Sequence, residues 1–142
     1  MYSALADDQI AVRLHAGEPV IDTLLAVMAK HGATAGFVQS GIGMLANPEF
    51  GYFVSKGKYA SKVFEGRFEC LSLVGNIATR DGELMAHLHG MCADEEYRVF
   101  GGHLFKATVG LTLELGIQLV KSPVKMYREL EEESGLAGLL VE

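Results

Sequence analysis

Phe105-Lys-Ala-Thr-Val-Gly-Leu-Thr-Leu-Glu-Leu-Gly-Ile-Gln-Leu119 carries the clearest period in the chain. The odd positions are all apolar: Phe105, Ala107, Val109, Leu111, Leu113, Leu115, Ile117 and Leu119. The even positions are Lys106, Thr108, Gly110, Thr112, Glu114, Gly116 and Gln118. Successive side chains of a strand point to opposite faces. Eight apolar positions in a row therefore predict a half-buried antiparallel strand with one face on a core. The other face, rich in Thr and Gly, lets a ligand or another subunit approach closely.

Immediately upstream, Glu83-Leu-Met-Ala-His-Leu-His-Gly-Met-Cys92 predicts a second strand. Leu84, Ala86, Leu88 and Cys92 share the core-facing parity, which leaves His87 and His89 side by side on the opposite face. A polar turn (Asp94-Glu95-Glu96) and Gly101-Gly102 lead to His103, where the returning strand begins. By parity His103 belongs to the apolar face of that strand, so it is expected to reach the other two only if Gly101-Gly102 bends or bulges the chain. Two adjacent imidazoles met by a third make a three-nitrogen site with an open fourth position, suited to zinc or another divalent ion.

Before the histidine strand, Gly66 to Thr79 predicts a long strand with Asp81-Gly82 as its hairpin turn. Leu71, Leu73 and Ile77 share a face there, and Glu69 has the same parity, so its carboxylate needs an Arg, a metal or solvent as partner. Phe50 to Val54 predicts a short aromatic strand closed by a turn at Ser55-Lys56-Gly57-Lys58. Lys56, Lys58, Lys62 and Arg67, interleaved with Tyr59 and Phe64, form the main concentration of positive charge. Residues so spread fit a solvated strand edge protected from aggregation better than a nucleic-acid surface. Thr34 to Met44 predicts a strand running into a Gly-rich bend. Gly41-Ile42-Gly43 lacks the third glycine of a dinucleotide fingerprint and the Lys of a phosphate loop, so it reads as a bulge or turn.

Toward the N-terminus, Val20, Ile21, Leu24, Leu25 and Met28 recur at helical spacing after Gly17-Glu18-Pro19, and Gly32 supplies the stop. His31, at the C-terminal end of that helix, suits the helix dipole and is taken as structural. Ile10 to His15 alternate as a first strand behind an irregular lead-in over residues 1–9. After Pro123, Val124 to Leu130 predicts a last strand, and the acidic run from Glu129 to Glu133 opens a solvated tail over about 131–142.

The pattern implies an α+β fold: a mainly antiparallel β-sheet with one long helix and short helical cover. A length of 142 residues fits a single domain, 1–142, with its core over about 10–138. Cys70 and Cys92 form no CxxC pair and read as reduced, small hydrophobes. Asp7 and Asp8 stand where a signal peptide would carry basic residues, and no apolar run reaches the length of a membrane span. A soluble, cytoplasmic protein is expected. The net charge of -6 disfavours a duplex-binding surface.

Taken together these residues resemble the PPC (plants and prokaryotes conserved) domain in its stand-alone prokaryotic form. The resemblance rests on Arg13-Leu14-His15-Ala16-Gly17-Glu18, Gly41-Ile42-Gly43, Gly66-Arg67-Phe68-Glu69-Cys70-Leu71 and Leu73-Val74-Gly75-Asn76-Ile77. It also rests on His87-Leu88-His89, Gly101-Gly102-His103-Leu104 and the strand of Glu114. It implies a compact antiparallel sheet flanked by helices, assembled as a homotrimer. It further implies fold kinship with acetolactate decarboxylase, whose zinc is held by a His-x-His pair and a third His, matched here by His87, His89 and His103. The segment matching Gly66 to Leu71 is associated with protein–protein contact in the plant proteins. The Arg-Gly-Arg-Pro core of their AT-hook is absent.

The expected function is binding of a divalent metal, with a small-ligand or regulatory role. One alternative is a DNA-associated module acting through its oligomeric surface. Another is a metal-dependent lyase or hydrolase of a small carbonyl substrate, with Glu69 or Glu114 as general base or as partner to a metal-bound histidine.

Overall fold

The structure, a computed structural model, describes residues 1–142. Along the chain run β1 (Tyr2–Ala6), β2 (Gln9–His15), α1 (Val20–Lys30), β3 (Gly36–Ser55), β4 (Lys58–Val63), β5 (Arg67–Arg80), β6 (Glu83–Ala93), β7 (Val99–Leu119), β8 (Met126–Leu130) and β9 (Ala137–Val141). The strands pair in the order β1-β2-β7-β3-β5-β8-β9, with β4 on β3, and with β6 joining β5 to β7. Every pairing is antiparallel except a single parallel bridge between β5 and β8. Because β7 pairs β3, β3 pairs β5, β5 pairs β6, and β6 returns to β7, the four long strands close a ring around the core.

The mainly antiparallel sheet is as expected, but the helical part is smaller. There is one helix of 11 residues, not a long one, and no further helical cover. Its stripe of Val20, Leu24, Val27 and Met28 is buried against strand residues of one continuous core that includes Leu14, Leu73, Leu88 and Leu113. Pro19 occupies the N-cap, where its missing N–H costs nothing. Gly32 takes φ +63 just past the C-terminal His31, as a left-handed stop requires. His31 Nε2 lies 3.1 Å from Ser3 Oγ, in keeping with a structural role. Residues expected to be irregular at both ends are ordered: β1 pairs β2, and β9 pairs β8 where a solvated tail was predicted.

Strand length forces irregularity. A twisted sheet that closes on itself takes extra residues as bulges, and each one shifts the inside–outside alternation. Cys70 pairs with Cys92 and Ser72 with Met91, so Leu71 is the extra residue of β5. Cys70 consequently faces the core, while Leu71 and Glu69 face solvent, contrary to the shared apolar face expected for Leu71, Leu73 and Ile77. On β7, three residues (Gly110, Leu111, Thr112) span the single step occupied by Met44 on β3, and Leu111 is 65% exposed. The unbroken odd-position face predicted for β7 thus fails at Phe105 and Leu111.

Thr34–Met44 and Phe50–Val54, read as separate strands, fall from Gly36 onward in the single bulged β3. Gly43 lies in its middle with φ +143, and a Cβ there would overlap the backbone of Thr112. Gly41-Ile42-Gly43 is accordingly a point of tight strand contact, as the bulge reading expected. The basic strip lies on and beside β4, which pairs with β3 alone, and Lys62 Nζ sits 4.6 Å from the Phe64 ring centroid. That is the solvated edge.

Candidate metal centre

His87 and His89 leave β6 on the face away from the buried Leu88, Gly90 and Cys92. His103 of β7 is the direct antiparallel partner of His89, and directly opposed residues project from the same face. The parity conflict noted for His103 is resolved, but not by a bend at Gly101-Gly102. Pairing runs regularly through Met91↔Gly101, Gly90↔Gly102 and His89↔His103. The break comes after it: Phe50 pairs with Leu104 and Glu49 with Lys106, which makes Phe105 the extra residue. Leu104 therefore points inward, Phe105 is turned out, and Ala107 restores the odd-position core face. The two glycines serve another purpose. A Cβ on Gly102 would stand 2.7 Å from the Gly51 carbonyl oxygen, and one on Gly101 would strike Gly90, so they let β3, β7 and β6 lie close enough to deliver His103.

The three ring centroids are 5.2 Å (His87–His89), 5.0 Å (His87–His103) and 5.4 Å (His89–His103) apart. One nitrogen from each ring lies within 4.8 Å of the others. A tetrahedral ion with bonds of about 2.0–2.1 Å asks for nitrogens roughly 3.4 Å apart, a closure within the reach of side-chain rotation. His103 Nδ1 is buried without a hydrogen-bond partner. A buried polar atom in that state is costly unless something binds it. Three imidazoles without a carboxylate or thiolate are a donor set that suits zinc and other borderline divalent ions.

The electrostatics favour the ligand form of the rings. Burial lowers the His87 pKa to about 4, helped by the charge of Arg128 and by the neighbouring His103 and His89. Burial likewise lowers His103, with His89 and Arg128 contributing. Both rings are thus neutral at pH 7, with a lone pair free for a metal.

Beside the triad lies a cavity of about 210 Å³, lined by Tyr59, Met85, His87, His103, Phe105, Arg128, Leu136 and Ala137. The outward turn at Phe105 brings its ring 4.6 Å from that of His103 and 5.3 Å from that of Tyr59. Arg128 enters from β8, donating to the Ala137 carbonyl at 2.7 Å and to Asn76 Oδ1. The sequence reading missed Tyr59, Asn76 and Arg128. A signal existed for Arg128, which shares parity with Met126 and Leu130 and so puts a cation on the apolar side of a short strand.

The two carboxylates expected near the histidines are elsewhere. Glu69 is exposed and pairs with Ala93. It is five positions along β5 from Val74, the partner of His89, roughly 16 Å at about 3.3 Å per residue. Glu114 pairs with Arg13 and Ile42 near the far end of β7, where it lines a wide hollow of about 580 Å³ with Met1, Tyr2 and Arg13. In the segment Gly66 to Leu71, Arg67, Glu69 and Leu71 are exposed, Phe68 is half-buried and Cys70 faces the core. Cys70 and Cys92 oppose each other as buried free thiols.

Residues 1–121 match the family model of the Plants and Prokaryotes Conserved (PCC) domain, the PPC domain. The chain belongs to this family. Among solved structures, it is similar to a PPC protein of Pyrococcus horikoshii, at 31% identity and a TM-score of 0.83 over 96% of this chain and 92% of that one. A metal-containing protein of Archaeoglobus fulgidus matches at 25% identity and a TM-score of 0.83, over 98% and 96% of the two chains. A Ralstonia eutropha protein, provisionally named DNA-binding, matches at 22% identity and a TM-score of 0.89, over 99% and 96%; at that identity it attests the PPC fold alone. No curated protein sequence matches the chain. No helix is long and apolar enough to cross a membrane. The β8–β9 hairpin that carries Arg128 lies beyond the matched part of the PPC domain.

Proposed function

We propose that this PPC-domain protein binds one divalent metal ion, zinc by preference, through His87, His89 and His103. The fourth position stays open to a small ligand in the adjacent cavity. The observation that carries the reading is the meeting of three imidazoles from two paired strands, two of them held neutral by burial and one with a buried nitrogen that lacks a hydrogen-bond partner. The metal-containing relative from Archaeoglobus fulgidus supports it. The role is binding or sensing, in a cytoplasmic homotrimer whose contacts include the exposed side chains of Gly66 to Leu71. Turnover draws less support, because neither Glu69 nor Glu114 lines the cavity and no other carboxylate does. A DNA-associated role draws less still, since the main concentration of basic residues is a narrow strip of four, Lys56, Lys58, Lys62 and Arg67, on a chain of net charge -6.

Metal analysis of protein purified without a His tag tests the reading. About one ion per chain is expected in the wild type, with at least a severalfold loss in His89→Ala, because two imidazoles hold an ion poorly. Equal metal content in the two proteins, or none in either after incubation with zinc, would rule it out.

A further inference from the structure

Arg128 is 5% exposed and is the one charged side chain in the buried set. Burying a guanidinium is costly unless an opposite charge and hydrogen bonds compensate it, and here the compensation is incomplete. Two of its five N–H groups reach neutral oxygens, on Ala137 and Asn76. The Nε–H is buried with no partner. The ion pairs of the chain involve Arg80, Arg98 and the N-terminal amine, not Arg128. Its position is no accident of packing at a remote corner, because it lines the same cavity as His87 and His103.

The charge in and around that cavity has one sign. Histidine ligands are neutral, so an ion held by them keeps its full positive charge, and Arg128 adds another. No acidic side chain lines the space. The remaining wall is apolar or aromatic: Tyr59, Met85, Phe105 and Leu136. The volume, about 210 Å³, is below the roughly 300–1,000 Å³ of pockets for drug-sized ligands.

We infer that the cavity is a binding site for a small carboxylate with an apolar body, whose carboxylate group takes the N–H groups left unpaired on the two terminal nitrogens of Arg128 while its body lies against the Tyr59–Phe105 wall. Planar, delocalised guanidinium pairs best with a planar carboxylate. The inference rests on the metal reading only for the ligand's second contact, with the ion. The contact with Arg128 stands by itself.

Isothermal titration with isobutyrate and its neutral isostere isobutyramide tests it, on zinc-loaded and on metal-free protein. For the zinc-loaded wild type, the acid is expected to bind at least tenfold more tightly than the amide. In metal-free Arg128→Gln that preference should fall to within about twofold, while the variant still takes up zinc as the wild type does. Metal-free wild type should bind both more weakly and still prefer the acid. Equal binding of acid and amide to the wild type overturns the assignment, as does an undiminished preference in folded, metal-free Arg128→Gln. Should Arg128→Gln fail to fold, the acid–amide comparison on the wild type decides alone. If the wild type takes up no zinc, the metal reading falls, and the metal-free titration still judges the carboxylate site.

Discussion

Single residues set the protonation of the site. In the folded chain His87 resists its proton down to about pH 4, whereas an unfolded chain accepts it near 6.5. Above 6.5 neither state is protonated there, and the folded state carries no penalty. As pH falls from 6.5 toward 4 the unfolded state binds the extra proton, so stability is lost across that window and levels off below it. His103 is shifted in the same direction. Thermal melts of metal-free protein at pH 7, 5.5 and 4 should therefore show a falling Tm, with a shallower fall in His87→Gln. Parallel profiles for the two proteins would contradict this account. Little of it was legible beforehand. The His-x-His spacing announced two neighbouring rings, but the partial burial of His87 and the approach of Arg128 involve β8, forty residues further along the chain.

At the scale of elements, the irregularities of β3, β5 and β7 determine what faces the site. Two glycines separate the cost of a conformation from the cost of contact. Asp81 and Gly82 take φ +52 and +86 in the two-residue turn joining β5 to β6, the pairing expected of a type I′ hairpin. A Cβ on Gly82 would meet open space, while one on Gly43 would run into the β7 backbone. Gly82→Ala should cost about 1–2 kcal/mol, the ordinary penalty of a left-handed residue. Gly43→Ala should cost more than that, about 3 kcal/mol or above, since backbone must also move. Urea denaturation of both variants measures the difference, and similar midpoints would show that the β3–β7 contact is softer than described. Alternation identified β2, β5, β6, β7 and β8, and β3 in two pieces, because it is a local property of side-chain direction. It misassigned Glu69, Leu71 and Phe105 because one extra residue reverses the alternation across it, and Leu111 because two extra residues there carry it outward while leaving the alternation beyond unchanged; bulges arise from how strands meet, not from their own composition.

For the whole molecule, the prediction is an assembly without nucleic acid. Static light scattering should give a mass near three times the 15.3 kDa of the chain. Leu71→Glu, at a position 47% exposed on the proposed contact segment, should shift that mass toward the monomer. With a net charge of -6 and a basic strip of only four residues, duplex DNA should not bind even at low salt, where phosphate contacts are strongest; salt-dependent retention of a duplex would reverse that conclusion. The sequence by itself determined the long central strands, the one helix, the family and the identity of the three ring-bearing residues, because each follows from local periodicity or from a short ordered motif. Only the tertiary structure decided that His103 joins His87 and His89, that Glu69 and Glu114 do not, and that a buried arginine stands beside the rings. Those outcomes depend on bulge positions and on a ring of strands closed between residues far apart in the chain, and no window along the sequence contains both partners of such a contact.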